Sequence, residues 1–329
     1  MSDTKTAYSA WNPGLSSQIP SSLQSEITLF RSENSSVDYR TAKELSDFSG
    51  LKPVELVSFK IERLIIHDLL VRVTSDLSVP DGPNYEDLGI SLRSMVHTIF
   101  SDYVLPDIEE YRQAFEEARG RCTSFIEGEL SEKFYSAATQ PVVRKKDTLL
   151  SRLFSAQKAA GADSKDKASK ELAALDDWQQ CSESEPDSLK KHCLVAVHRV
   201  VDAIVAHRGR LVNQPELVTT IAVNMALNGL GSELAQTMME PVFKRAVEAE
   251  KFRWLPTQTH PVVMNVKGAS ASGKSTIRPR QRELAGKLGI PWEDFALISP
   301  DYWRKYLLDY SSLGDDSKYA AMLTGQELE

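Results

Sequence analysis

Apolar residues recur with a helical period over most of the chain. Between about residues 37 and 253, segment after segment places apolar side chains three or four positions apart, as on one face of an α-helix. The segment 54–77 is apolar nearly all the way round, which is typical of a helix in the middle of a bundle. Residues 37–254 therefore predict a helical domain, whose role the pattern does not indicate.

Prolines and glycines predict where these helices begin and end. Residues 79–84 (VPDGPN) predict a loop, and Pro106 predicts a break between two helices. A later helix should begin near Pro215 and stop at Gly229 and Gly231, and Pro241 should break or kink the helix after it. Residues 1–36 are rich in Ser and Thr and predict a mobile arm with one or two helical turns near its end.

The pattern changes near Trp254. Residues 261–266 (PVVMNV) and 295–299 (FALIS) are short apolar runs, and both predict strands of a buried sheet. A domain boundary near residue 255 follows, with a third segment over 255–329. The predicted fold is a mainly α N-terminal domain followed by the start of an α/β domain with a parallel sheet.

A phosphate-binding pattern lies directly after the first predicted strand. The sequence GASASGKST meets the pattern G-x-x-x-x-G-K-[ST], in which small residues let backbone N–H groups surround phosphate oxygens. In this pattern Lys274 reaches the β- and γ-phosphates and the hydroxyl of Ser275 binds Mg²⁺. A flexible loop that contains a lysine by chance is the alternative. The predicted phosphate-binding residues are Gly268, Ala269, Ser270, Ala271, Ser272, Gly273, Lys274, Ser275 and Thr276.

A candidate catalytic base follows the second predicted strand. Asp301 opens the helix PDYWRKYLL, and a carboxylate at such a strand end can take the proton from an acceptor hydroxyl. The alternative is that Asp301 only caps the helix. Arg304 lies one turn further on, where it could hold a phosphate or a substrate carboxylate or could simply be an exposed helix arginine.

Residues 260–329 resemble the zeta toxin family of P-loop kinases. The resemblance is carried by GASASGKST and by Asp301, Trp303 and Arg304, which match the family's Asp-x-aromatic-Arg pattern. It implies a kinase that uses ATP and Mg²⁺ to phosphorylate a sugar nucleotide, notably UDP-N-acetylglucosamine, with Asp301 as base. Related effector kinases act on other nucleotides, including dinucleotide cofactors. The segment KYAAMLTGQELE resembles the family's substrate helix, which makes Glu327 a substrate-binding candidate.

The sequence departs from the family in one respect. The family places lid arginines well downstream of the substrate helix, whereas no arginine follows Arg304 here. A nucleotide kinase core also needs further parallel strands to bury its sheet. We therefore expect the chain to be either truncated or one segment of a longer or split protein, with an unfinished sheet that exposes apolar surface.

Composition and charge argue against several classes of protein function. The net charge of −7 argues against a general nucleic-acid binder. The three cysteines fit a reducing compartment, and neither a signal peptide nor an apolar span long enough to cross a membrane is apparent. We expect a cytoplasmic location, including a target cell's cytoplasm if a specialised secretion system delivers the chain. The spacing of the six histidines does not predict a metal site.

Two functions follow from these patterns. The first is an ATP- or GTP-dependent, toxin-like kinase that phosphorylates a hydroxyl of a nucleotide-like small molecule. The second is a protein-binding module, in which the helical domain binds a partner or a neutralising protein and the phosphate loop is a switch or an inactive remnant. The basic residues just after the loop could attract a polyanion or could form a solvated helix face; they are Arg278, Arg280, Arg282 and Lys287.

Overall fold

The computed structural model describes residues 19–84, 86–135, 170–268 and 273–325, and the backbone alone at Ser275. The α-helices within these ranges are α1 (Tyr39–Ser49), α2 (Ile61–Asp76), α3 (Asp87–Thr98), α4 (Ile108–Leu130), α5 (described over residues 170–184), α6 (Ser188–Arg208), α7 (Pro215–Ala249), α8 (Arg278–Lys287), α9 (Pro300–Leu307) and α10 (Ala320–Leu323). Shorter 3-10 helices cover Ser21–Glu26, Thr28–Phe30, Pro53–Leu56, Leu105–Asp107, Lys274–Ile277, Trp292–Asp294 and Tyr310–Tyr319, and π-helical turns cover Ile99–Val104 and Ser131–Tyr135.

The helical region, residues 37–254, is built around α7, which packs against α2, α4 and α6. The helix continues past Gly229 and Gly231 and through Pro241, so the stop predicted at the glycines is wrong. A Cβ at Gly231 would lie 2.6 Å from side-chain atoms of Leu64 and Phe115, and one at Gly229 would lie 2.4 Å from the His192 ring. These glycines therefore let neighbouring side chains reach the α7 backbone.

The central helix α2 is shorter than the pattern predicts. It begins at Ile61 rather than near residue 54, because Pro53–Leu56 form a separate 3-10 helix and Val57 and Lys60 are extended. The Phe59 amide donates to Asn228 Oδ1 at 3.0 Å, and Phe59 forms an isolated β-bridge with Ser35. From Ile61 onward the prediction of a buried helix is confirmed. Leu70 is inaccessible to solvent, and so are other apolar side chains on more than one face of α2.

The predicted parallel sheet is wrong. Within the described ranges the structure contains no strand, and β-pairing is limited to the isolated bridges Ser35–Phe59 and Leu77–Trp254. Residues 261–266 and 295–299 do not form backbone hydrogen bonds with each other. Val263 is 83% exposed and Ile298 is 70% exposed. A run of β-branched residues becomes a strand only where a neighbour pairs with its backbone and covers its side chains, and here neither happens.

The C-terminal region, residues 255–325, packs its helices against the helical region instead. Tyr302 is buried with its ring at Gly89, where a Cβ would lie 2.6 Å from the ring. Trp303 Nε1 donates to Thr74 Oγ1 at 3.1 Å. The buried apolar side chains of α9 and α10 belong to the same core cluster as those of the helical region. The two regions therefore share a core, while the three-part division of the chain stays a prediction.

The end of the predicted N-terminal arm also contacts this core. The two 3-10 helices lie where one or two helical turns are expected, and Ile27, Leu29 and Phe30 are buried. Thr28 Oγ1 donates to the Leu323 carbonyl at 3.4 Å. Residues 1–18 lie outside the described ranges. No helix in the described part of the chain is long and apolar enough to cross a membrane.

Candidate functional site

The C-terminal end of the phosphate-binding pattern, from Gly273 to Thr276, forms a tight turn. Gly273 has φ 79° and ψ 20°, a left-handed conformation that costs glycine little and other residues more. A Cβ there would also lie 3.1 Å from Thr276 Oγ1. The Thr276 amide and hydroxyl both donate to the Gly273 carbonyl, at 3.0 and 2.7 Å. The second glycine of the pattern is therefore required by the backbone.

Lys274 links the two ends of the pattern. Its Nζ donates to the carbonyl of Gly268 at 2.8 Å, and its side chain is only partly exposed. The ammonium group is thus held next to the loop that the pattern assigns to phosphate. The interior of that loop, Ala269–Ser272, lies outside the described ranges, as does Glu327, and the Ser275 side chain is likewise not described.

The α-helix after the loop does not begin directly at Lys274. Residues Lys274–Ile277 form a 3-10 turn, and α8 starts only at Arg278. Pro279 consequently lies in the first turn of α8, where its missing N–H costs no helical hydrogen bond. Pro279 therefore marks the start of α8.

A cavity of about 800 Å³ brings the two separate motifs together. Lys274 from the phosphate pattern and Asp301 from α9 both line it, and Arg278 lies between these elements in the same lining. Much of the remaining wall is apolar and comes from residues 261–266 and 295–298, the two segments predicted as strands. The arrangement places two cations, Lys274 and Arg278, and two carboxylates, Asp294 and Asp301, in the lining of a largely apolar pocket. Asp294 is paired with Arg253.

Asp301 does not cap α9. It lies inside the first turn, whereas Ser299 occupies the cap position and makes no side-chain cap hydrogen bond. Asp301 is 64% exposed at its side chain and accepts a hydrogen bond from Arg304 Nη1 at 3.2 Å. Arg304 is 24% exposed, so it is not a freely solvated helix arginine, but it is not among the residues that line the cavity. The carboxylate, rather than Arg304, faces the pocket.

The basic residues of α8 separate into two groups. Arg280 and Lys287 form ion pairs with Glu283, and these hydrogen bonds, that of Lys287 first, hold the pKa of Glu283 below its usual value. Arg278 and Arg282 instead turn toward the helical region, where both contact Asp81. Arg280 and Lys287 of the predicted basic cluster therefore lie on the outer surface, and Arg278 and Arg282 lie against Asp81. Only Arg278 of these four lines the cavity.

Sequence analysis missed several residues of this site. Trp292 and Phe295 line the cavity, with ring centroids 5.5 Å apart and planes inclined at 33°. Tyr302 also lines it and accepts a hydrogen bond from Arg278. Asp81 comes from the loop predicted at 79–84, where no sequence signal distinguishes it from an ordinary turn residue. The aromatic residues were visible in the sequence, but the cavity they share depends on the tertiary fold.

The histidines and other potential ligands form no metal cluster in the described part of the chain. No group of three or more His, Cys, Asp or Glu side chains there could hold a metal ion. His192 instead hydrogen-bonds Glu233, and the His67 ring contacts that of Trp303 edge-on at 6.2 Å. Comparison of the chain with protein-family models, curated proteins and solved structures finds no match.

Proposed function

We propose that the chain is an ATP- and Mg²⁺-dependent phosphotransferase that phosphorylates a hydroxyl of a sugar nucleotide or a similar nucleotide-like molecule. One observation carries the proposal: Lys274 and Asp301, which the sequence assigns to the phosphate donor and to the acceptor, line the same cavity. The required local elements are a left-handed glycine, a lysine beside the loop and a carboxylate in the lining of the same cavity. None of these needs a β-sheet.

The proposed roles follow from charge and position. Lys274 neutralises charge on the β- and γ-phosphates, because phosphoryl transfer depends on positive charge placed against the transferring group. Asp301 accepts the proton of the acceptor hydroxyl, whose oxygen then bonds to the γ-phosphorus. The bond between that phosphorus and the β–γ bridging oxygen breaks, and the nucleoside diphosphate leaves with that electron pair.

Magnesium enters the proposal through a single protein ligand. Mg²⁺ takes most of its oxygen ligands from substrate phosphates and water, so one hydroxyl from the chain suffices. The phosphate pattern assigns that hydroxyl to Ser275. When bound, the ion would offset negative charge on the phosphate tail.

The apolar part of the cavity suits the planar part of a nucleotide. Trp292 and Phe295 offer aromatic surface, and stacking of a base on an aromatic side chain is worth about 1–3 kcal/mol. This supports a nucleotide-like donor or acceptor. The toxin-like role and the choice of sugar nucleotide rest on the resemblance to zeta toxins and belong to the proposal.

Turnover measurements test the proposal. ATP or GTP consumption should be followed with Mg²⁺ and a panel of sugar nucleotides and dinucleotides. We expect Lys274→Ala and Asp301→Ala each to lower turnover by about 100-fold or more. Lys287→Ala and Asp315→Ala are matched controls on exposed side chains and should retain activity. Full activity in Asp301→Ala would remove that residue as the base, and full activity in Lys274→Ala would remove the proposed phosphate site.

One observation favours the second candidate function, a protein-binding module. Of the thirteen exposed large apolar side chains found in the described ranges, eight lie between Trp254 and Ile298. Exposed apolar surface of this kind often marks an interaction site. No turnover with any acceptor, together with saturable binding of a partner protein that Val263→Asp abolishes, would favour this function over phosphoryl transfer.

A further inference from the structure

The helical region contributes a buried carboxylate that contacts Arg278, a residue of the cavity wall. The Asp81 side chain, from the loop between α2 and α3, is only 1% exposed. Its Oδ1 accepts a hydrogen bond from Arg282 Nη2, and its Oδ2 lies 3.5 Å from Arg278 Nε. Oδ2 is buried and has no hydrogen-bond partner. Since burying a carboxylate is costly without compensation, its place between two arginines is its main stabilising feature.

Arg278 is held from two sides. Besides its ion pair with Asp81, it donates from Nη2 to the Tyr302 hydroxyl at 3.1 Å. The side chain of Arg278 is 17% exposed, and Tyr302 is 3% exposed. The guanidinium therefore has a defined position on the cavity wall instead of moving freely in solvent.

The other basic residues near the loop are placed differently. Arg280, 81% exposed, and Lys287 pair with Glu283 on the outer surface, and Arg304 pairs with Asp301. Among the described residues, Lys274 and Arg278 are the two lysine or arginine side chains that line the cavity. A guanidinium can form two parallel hydrogen bonds to a phosphate, which a lysine cannot do.

We infer that Arg278 is a second phosphate-binding cation of the site, and that Asp81 is a positioning residue that aims it. The inference rests on the proposed function and adds to it: the helical region is part of the working site, because its carboxylate orients the arginine.

Nucleotide affinities measured by calorimetry with Mg²⁺ test the inference on the full chain. Arg278→Ala should weaken ATP binding roughly tenfold or more, because a charge-assisted hydrogen bond to phosphate is lost. AMP binding should change much less, since AMP lacks the β- and γ-phosphates. Arg278→Lys should fall between Arg278→Ala and the wild type. Arg280→Ala is the matched control and should bind ATP like the wild type.

Asp81→Asn tests the positioning role. It should lower ATP affinity in the same nucleotide-dependent pattern, and it should add almost no further loss in an Arg278→Ala background, because it acts through that arginine. Thermal melting would show whether Asp81→Asn remains folded. If it does not, Tyr302→Phe removes the hydroxyl that accepts a hydrogen bond from Arg278 and is expected to give the same pattern.

Three results would overturn the inference. These are wild-type ATP affinity in Arg278→Ala, equal losses for ATP and AMP in that variant, or fully additive losses in the double variant. Failure of the proposed function gives a different result, since the wild-type chain itself would then bind no ATP.

Discussion

The helical region and the C-terminal region use apolar residues in opposite ways. In the helical region, large side chains such as Leu70 and Trp178 are fully buried. In the C-terminal region, Val263 and Ile298 lie mostly in solvent, although their segments have the composition of buried strands. The comparison shows that an apolar run becomes secondary structure only where other elements cover it. In the C-terminal region, the aromatic residues of α9 pack against the helical region, whereas residues 261–266 are largely exposed and residues 295–299 are exposed or only partly buried.

Truncation of one apolar side chain in each region should give the largest contrast. Leu70→Ala removes a fully buried side chain and should lower the free energy of unfolding by about 2–5 kcal/mol. Val263→Ala removes a side chain that is 83% exposed and should change it by less than about 0.5 kcal/mol. Urea unfolding measures both. A loss above about 1 kcal/mol for Val263→Ala would mean that this segment is packed in solution, contrary to the comparison.

Two glycine substitutions sharpen the description of packing in the helical region. Gly231→Ala places a methyl group 2.6 Å from Leu64 and Phe115, and the resulting overpacking should cost about 1–3 kcal/mol before any gain in helix propensity. Gly120→Ala, in α4, meets nothing within 4 Å and should stabilise the chain by up to about 1 kcal/mol. Chemical denaturation gives both values. Equal effects would show that α7 is not closely packed at Gly231.

Two tryptophans test how the C-terminal region is attached. Trp303→Phe removes the hydrogen bond from Nε1 to Thr74 as well as indole volume. Trp292→Phe removes comparable volume, but its buried Nε1 has no hydrogen-bond partner. We therefore expect Trp303→Phe to cost about 1 kcal/mol more than Trp292→Phe in thermal or chemical unfolding. The reverse order would contradict the contact between α9 and α2.

The smallest effect is expected for an ion pair on the surface of the helical region. Hydrogen bonds from Lys244 and then Arg72 lower the pKa of Glu240 from 4.5 to about 2. Because the folded-state pKa is lowered, the stabilisation is fully present above about pH 4.5 and is lost as the pH falls toward 2. The carboxylate is 46% exposed, so we expect less than about 1 kcal/mol.

The wild type and Glu240→Gln should be compared by chemical unfolding between pH 7 and pH 3. Their difference should be greatest at neutral pH and should shrink below about pH 4.5. Asp68 belongs to the same network, and its burial raises its pKa. Its contribution to the stability of the folded state therefore increases as the pH falls, whereas that of Glu240 decreases. Comparing the two proteins at each pH removes the part of that effect that does not depend on Glu240, whose charge also raises the pKa of Asp68. A pH-independent difference would contradict the ion pair.

The helices were largely predictable because their pattern is repeated over many turns. Positions 61–76 and 188–208 follow a helical period over several turns, and both form helices. Gly229 and Gly231 misled the prediction, since local propensity cannot distinguish a glycine that ends a helix from one that admits a neighbouring side chain. The strand predictions failed because five or six apolar residues contain no information about whether a pairing partner exists.

The candidate site was predictable only in part. The pattern around Lys274 and the acidic start of α9 at Asp301 are local features, and the sequence identifies both. Arg278 was one of four basic residues with no feature to separate it from the others, and Asp81 lies far from it in the sequence. Their contact is a property of the packing between the two regions, which a single sequence does not reveal.

The central claim is that the loop next to Lys274 binds the phosphate tail of a nucleoside triphosphate. Calorimetric titration of the folded chain with ATP in the presence of Mg²⁺ tests it most directly. We predict saturable binding of one ATP per chain, weakened at least about tenfold in Lys274→Ala. Absence of saturable binding of ATP and GTP, or equal affinity in Lys274→Ala, would contradict the claim.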